Sequence, residues 1–380
     1  MQKFDWMSTT ELNFKALRIV GIWPRGDSGQ LYKFNSYTIY AILNAITLIG
    51  LHNLSQIANI FVVYQDLAAL ANTCFILITN MLGVAKMCFF VRNVGNMKKL
   101  VRILNSHQFQ PKTESQVKLV QPILKRWKTC YICWGSYVSF CMVLWVVGPL
   151  TVGGRMLIMP AWYPFSLEKN INYAIAYIYQ AICFTYLSIG NINVDTMVYG
   201  LLMYTSTQCD LLCDNLENLD GNAEEFNMKL VNCVKHHETI LSFATTANSI
   251  FNLIVLGQFA TSALTIALSL FQLSLVDNLD AAAIVALFYV MGLAAQLFLY
   301  CWFGNEVETK SSKIPYSIFS SQWVDVSLHV NKNMQILVER CHRPIKITAI
   351  NLFDLSLATF VTIMRTSWSY FALLHSVNSK

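Results

Sequence analysis

The chain has 380 residues, 55% of them hydrophobic and only 13% charged, with mean hydropathy +0.45 and formal net charge +6. A soluble domain carries about 25% charged residues, so that class is excluded. Repeated apolar runs of about 20 residues, the length that crosses ~30 Å of hydrocarbon, predict an all-α polytopic membrane protein.

The first segment, 1–36, mixes Lys3, Asp5, Glu11, Lys15, Arg18 and Arg25 with scattered apolar residues. It lacks the compact apolar core of a secretory leader, so insertion is expected to rely on the first true span. Leu12, Ala16, Ile19 and Val20, with Trp6, suit an amphipathic helix on the membrane surface. Residues 37–303 read as six spans: Tyr37–Tyr64, Leu67–Val91, Cys130–Leu150, Ile171–Tyr204, Ile250–Val276 and Ala281–Phe303. A seventh, Leu352–Val377, falls in 350–380. Between spans three and four lies Met159-Pro160-Ala161-Trp162-Tyr163-Pro164-Phe165, which has two readings. It is a lid folded over the bundle, or an interfacial anchor built on Trp162 and Tyr163.

Between spans four and five, Leu211, Leu212, Leu216, Leu219, Phe226, Leu230 and Val234 recur at helical spacing, broken by Gly221-Asn222. Spans four and five are therefore expected to project well beyond the bilayer. In 304–349, Val326, Val330, Met334 and Leu337 mark an amphipathic helix from Trp323 to Cys341, ended by Pro344. These projections predict an oligomerisation platform on one side. Of the 27 Lys and Arg residues, 22 fall before span one or in the segments after even-numbered spans, and only Arg155, Lys169 and Lys380 fall on the other side. Cytosolic loops collect positive charge, which predicts a cytosolic N-terminus and, with seven spans, an extracellular C-terminus. A seven-helix receptor coupling to G-proteins has the opposite orientation. A secondary transporter would show internal repeats, and none is evident.

Motifs for chemistry are weak. Cys130-x-x-Cys133 opens an apolar helix without a second ligand pair and reads as packing. His236-His237-Glu238 lacks metalloprotease spacing and reads as a solvated helical face. Asn53-Leu54-Ser55 is a glycosylation sequon within span one. Neither a phosphate-binding glycine loop nor a nucleophile–base pair is present, so no enzyme activity, metal or cofactor is expected.

In the last span, Thr359, Thr362, Thr366, Ser369 and Ser376 share one helical face. Such a stripe packs helices closely in lipid or lines a water-filled path. Leu373 interrupts it near one end, where a ring of apolar side chains closes a conduit by dewetting. Arg365 is costly in hydrocarbon and favours the wet reading.

Gln296-Leu-Phe-Leu-Tyr-Cys-Trp-Phe-Gly-Asn-Glu306, Pro315-Tyr316, Trp323, Arg343-Pro344 and Thr366-Ser-Trp-Ser-Tyr-Phe371 together resemble the insect odorant receptors. Ala161–Phe165 and the stretch from Asp195 to Gln208 fit the same family, so the resemblance covers essentially the whole chain. The Thr-Tyr…Gln-Phe signature of the related gustatory receptors is absent. The resemblance implies a ligand-gated, non-selective cation channel of four subunits, the last helix of each lining a central pore. It implies assembly with the co-receptor Orco, which is longer between spans four and five. The compact region here looks like that of an odorant-binding subunit in the plasma membrane of an olfactory neuron dendrite. Leu373 matches the apolar gate position, Ser369 and Ser376 the pore-facing turns, and Arg365 a basic residue frequent in odorant-binding subunits.

The family's ligand pocket lies in the outer half of the bundle. Spans two and three supply Ala71, Cys74, Phe75, Ile78, Phe140, Met142, Trp145 and Val146 there. Spans four and six supply Tyr173, Tyr177, Gln180, Phe184, Ile284, Phe288 and Tyr289. An aromatic chamber without charge suits a small, volatile, weakly polar ligand and argues against acids and polyamines.

Overall fold

The computed structural model describes residues 4–24, 35–151, 155–274, 281–324 and 326–378, and the chain is mostly helical. Lys3, Arg25, Lys33 and Lys380 lie outside the described residues, as does the connection at 275–280. A short turn at Trp6–Thr9, capped by the Asp5 carboxylate, leads into α1 (Glu11–Ile19). Phe14, Leu17 and Val20 pack inward beside Trp6, while Leu12 and Ile19 are 49% and 64% exposed. The larger rings take the protein side: Phe14 meets Trp23 at 4.7 Å and Trp6 meets Tyr204 at 5.9 Å. Asn13 is buried with them, its amide donating to Asn193 O at 3.1 Å and Thr196 Oγ1 at 2.7 Å.

The first apolar helix is α2 (Ser36–Asn44), a π-helical turn (Ala45–Gly50) and α3 (Leu51–Val63) end to end. Then come α4 (Leu67–Arg92), the amphipathic α5 (Val94–Leu104), α6 (Glu114–Thr151), α7 (Asn170–Glu217), α8 (Ala223–Ser274) and α9 (Ala281–Ser311). Among the described residues, six helices are long and apolar enough to cross a membrane. At 1.5 Å per residue, the 48 residues of α7 and 52 of α8 reach about 70 to 80 Å, against ~30 Å of hydrocarbon. Both therefore run far beyond a bilayer, as their leucine spacing predicts. The break between them falls where Gly221 adopts φ +104° and Asn222 Oδ1 accepts from Glu225 N at 2.9 Å, capping α8. One end of the bundle carries α5, the α7–α8 turn, α10 (Ile314–Phe319) and α11 (Leu328–Cys341), and is the basic end. The other, the loop end, carries residues 155–169. α7 is the central element, buried on every side from residue 193 to 209.

Three expectations change here. The amphipathic helix expected from Trp323 begins at Leu328, after Ser327 leaves helical geometry. His236 and His237 are not solvated: they are 3% and 4% exposed, turned toward α7 and α11. Gln208 Nε2 donates to Phe109 O at 3.2 Å, leaving its Oε1 to accept from His236 Nε2 at 2.9 Å. His237 Nε2 lies 3.6 Å from Cys341 Sγ. Burial pushes the His236 imidazole down to about 3, helped by Lys112 and His237, and lowers His237 as well. Finally, the last apolar run does not start as a helix. Thr348–Ala349 and Phe353–Asp354 pair as a two-stranded hairpin, β1 and β2, turned by Ile350 at φ 50° and Asn351 at φ 54°. The final helix, α12 (Leu357–Asn378), starts only after Ser356 Oγ accepts from Thr359 N at 3.2 Å. It has 22 residues, but its hydroxyls and Arg365 keep it out of the six most apolar helices.

Candidate functional site

At the loop end, residues 155–169 fold into the bundle. Ile158 and Met159 are 5% and 3% exposed and pack with Ile76 of α4 and Tyr177 of α7. Val146, Tyr173 and Phe184 close around them. Pro160 holds the preceding residue extended, and both backbone groups of Met159 are met by one side chain. Gln180 Oε1 accepts from Met159 N at 3.1 Å, and Gln180 Nε2 donates to Met159 O at 2.9 Å. Gln56 Nε2 donates to Met159 Sδ at 3.4 Å, Tyr173 O–H to Met156 O at 2.9 Å, and Trp162 N to Ser55 O at 2.9 Å. The Tyr177 hydroxyl donates to Val146 O. This is the geometry of a lid. Trp162, 45% exposed, stays at the rim.

Seven of the fifteen expected ligand residues gather there, while Ile284 is 43% exposed. Trp145 links the cluster to α9, its ring 6.0 Å from Phe184 and 5.9 Å from Tyr289. Phe140 pairs with Phe288 at 5.5 Å but is 49% exposed, on the flank of the bundle. Ile78 is also 49% exposed and turns away; Met142 is half-buried outside the cluster. The side chains of Phe75 and Ala71 lie outside the described set. Ile158 and Met159 are the residues that composition alone did not put in the chamber, although the Pro160 beside them was a signal.

α12 packs on α8 and α9 through Phe360, Ile363, Met364 and Ser367. Its other face is bare. Thr362, Arg365, Ser369, Leu373 and Ser376 are all exposed, Leu373 by 61%. Among the described residues, Thr362, Ser369 and Ser376 donate to carbonyls of their own helix, at 2.9, 3.0 and 2.8 Å.

Between the two regions sits a buried ion pair. Lys86 Nζ lies 2.9 and 3.1 Å from the carboxylate oxygens of Asp195, residues 2% and 1% exposed. Tyr300 O–H donates to Asp195 Oδ1 at 2.6 Å, Gln296 Nε2 donates to Oδ2, and Gln258 Nε2 donates to Gln296 Oε1 at 3.0 Å. One network thus joins α4, α7, α8 and α9.

A family model described as the 7tm odorant receptor matches residues 66–368. The chain belongs to the insect odorant receptor family. Odorant receptor Or1 of Anopheles gambiae is 25% identical over 99% of this chain and 97% of its own length. Odorant receptor 23a of Drosophila melanogaster is 24% identical over 78% and 79%. These relatives are odorant receptors by name, not the co-receptor. Two solved structures share the fold. The olfactory receptor OR5 of Machilis hrabei in complex with eugenol superposes with TM-score 0.86 and 22% identity, covering 98% of this chain and 100% of that one. A second structure of the same receptor superposes with TM-score 0.87 and 21% identity over 98% of this chain. Within this receptor fold, the Lys86–Asp195 network is what sequence reading missed. The Asp195 stretch stood out in the sequence, but nothing in its spacing joined it to Lys86.

Proposed function

We propose that the chain is the odorant-binding subunit of a ligand-gated, non-selective cation channel that assembles with Orco in the plasma membrane. The reading takes seven spans, with α12 as the last, a cytosolic N-terminus and an extracellular C-terminus. Residues 37–303 form the ligand-binding bundle, 304–349 the cytosolic anchor, and 350–380 the pore segment. A small, weakly polar volatile ligand sits under the lid, among Trp145, Val146, Tyr173, Tyr177, Phe184 and Tyr289. Gln180 is available to it only by releasing Met159. Ligand bound more tightly to the open arrangement than to the closed one shifts the population toward opening.

The observation that carries the proposal is the bare face of α12. A helix packed merely as an anchor would turn its hydroxyls inward and its apolar side chains to lipid. Here Ser369, Ser376 and Arg365 face out with Leu373 among them, which suits a wall shared by several copies around water. The test is co-expression with Orco and recording of odorant-evoked current in excised patches. Currents that persist without nucleotides or G-protein support the channel; currents that need a G-protein refute it.

A further inference from the structure

On the flank of the bundle, at the basic end, α1, α2, α4 and α7 enclose an apolar cleft of about 510 Å³. That is within the ~300 to 1,000 Å³ typical of small-molecule sites. Val20, Ala45, Ile49, Met87 and Val91 line it. Its walls are fixed by backbone geometry. Gly190 lets Met87 lie across α7, since a Cβ there would meet Met87 Cε at 2.4 Å. Gly21, at φ +79°, turns the chain after α1 so closely that a Cβ would be 3.0 Å from that of Ala41. Three tyrosines then rivet the end of α1 to the spans. Tyr40 O–H donates to Ile19 O at 2.6 Å, Tyr37 O–H to Trp23 O at 3.0 Å, and the Tyr186 hydroxyl to Val20 O. The carbonyls that a helix end leaves orphaned are thereby satisfied, and the cleft presents carbon.

The opening faces sideways, past Ile42, 50% exposed, and Cys88, also exposed. At its rim stands Arg92, the last residue of α4, exposed and forming no ion pair among the described residues. An apolar slot open to the side of a membrane helix pair, with a free guanidinium where the apolar span ends, is complementary to an amphiphile with an anionic head. We infer that the cleft binds one acyl chain of an anionic phospholipid, whose phosphate pairs with Arg92. Guanidinium matches phosphate in a bidentate fork, and basic residues beside a span attract anionic lipid. The lipid braces α1 and α2 against α4, the helix that also carries Lys86. This inference rests on membrane placement alone and stands whether or not the chain is a channel.

The test is native mass spectrometry of the purified full chain after reconstitution in phosphatidylcholine–phosphatidylserine nanodiscs. The expected result is one retained phosphatidylserine per chain. Arg92→Gln, a surface change that leaves folding intact, should lower the preference for phosphatidylserine over phosphatidylcholine about fivefold, the share of one basic residue. Ala45→Phe, which fills the slot, should abolish retention of either lipid while thermal melting confirms a folded chain. The inference is overturned if the parent chain retains only detergent, if it holds both lipids equally, or if Arg92→Gln leaves the preference unchanged.

Discussion

Lys86 and Asp195 carry the largest single electrostatic commitment in the chain, because both are withdrawn from water within the apolar bundle. Removing one partner of a buried pair costs roughly 3 to 5 kcal/mol, whereas replacing both by apolar residues is often neutral. Lys86→Met is therefore expected to lower the melting temperature of the purified protein sharply, and Lys86→Met with Asp195→Leu to recover most of it. A single variant as stable as the double one would show that the pair does not act as a unit. The partnership was not legible in the sequence: the residues lie 109 positions apart, and only the crossing of α4 over α7 joins them. His236 misled for a related reason. A polar triplet on an amphipathic run looks solvated until α7 and α11 cover it. Burial pushes its imidazole down to about 3 in the folded chain, against roughly 6.5 when free. The unfolded chain thus binds the extra proton first as pH falls, and stability drops below pH ~6.5 by up to about 1.4 kcal/mol per unit. Above that range this group has no effect. Urea titrations at stepped pH should show the slope, and His236→Gln should reduce it; an unchanged slope would remove His236 as its source.

At the scale of elements, the long helices were legible because apolar length and leucine spacing are local properties. The hairpin before α12 was not. Its turn residues, Ile350 and Asn351, both adopt positive φ, and an isoleucine there gives no sequence signal. Its seat is equally hidden. A Cβ on Gly304 of α9 would lie 2.4 Å from both Leu355 Cβ and Leu355 O. Because backbone cannot yield as a side-chain tip does, Gly304→Ala is expected to push the hairpin off α9 and destabilise the chain by about 1 to 3 kcal/mol. Thermal melting checks this, and a neutral outcome would mean that the hairpin is not fixed by that contact. The lid gives a parallel case. Gln180→Leu strips partners from both buried backbone groups of Met159 and should cost about 1 to 3 kcal/mol. The same variant should show faster proteolysis between residues 155 and 169. Protection equal to that of the parent would mean that Gln180 does not hold the lid. The sequence offered lid and anchor equally here; burial of Ile158 and Met159 decides for the lid, and Trp162 stays outside.

For the whole molecule, the proposed arrangement has ligand entering from outside and several copies contributing their last helix to a common axis; the lid and the exposed face of α12 support it. An epitope after Lys380 should then be detected on intact cells, and detection only after permeabilisation would reverse the topology. The central claim is that the outward face of α12 meets water. Cysteine substitution at Ser369, Leu373 and Ser376, in subunits co-expressed with Orco, tests it most directly. The parent chain already holds eleven cysteines, so each variant is read against it. Externally applied charged thiol reagents should alter odorant-evoked conductance at all three positions and leave the parent unaffected. Conductance that stays unchanged at every one of them would put this face against lipid or protein and contradict the account.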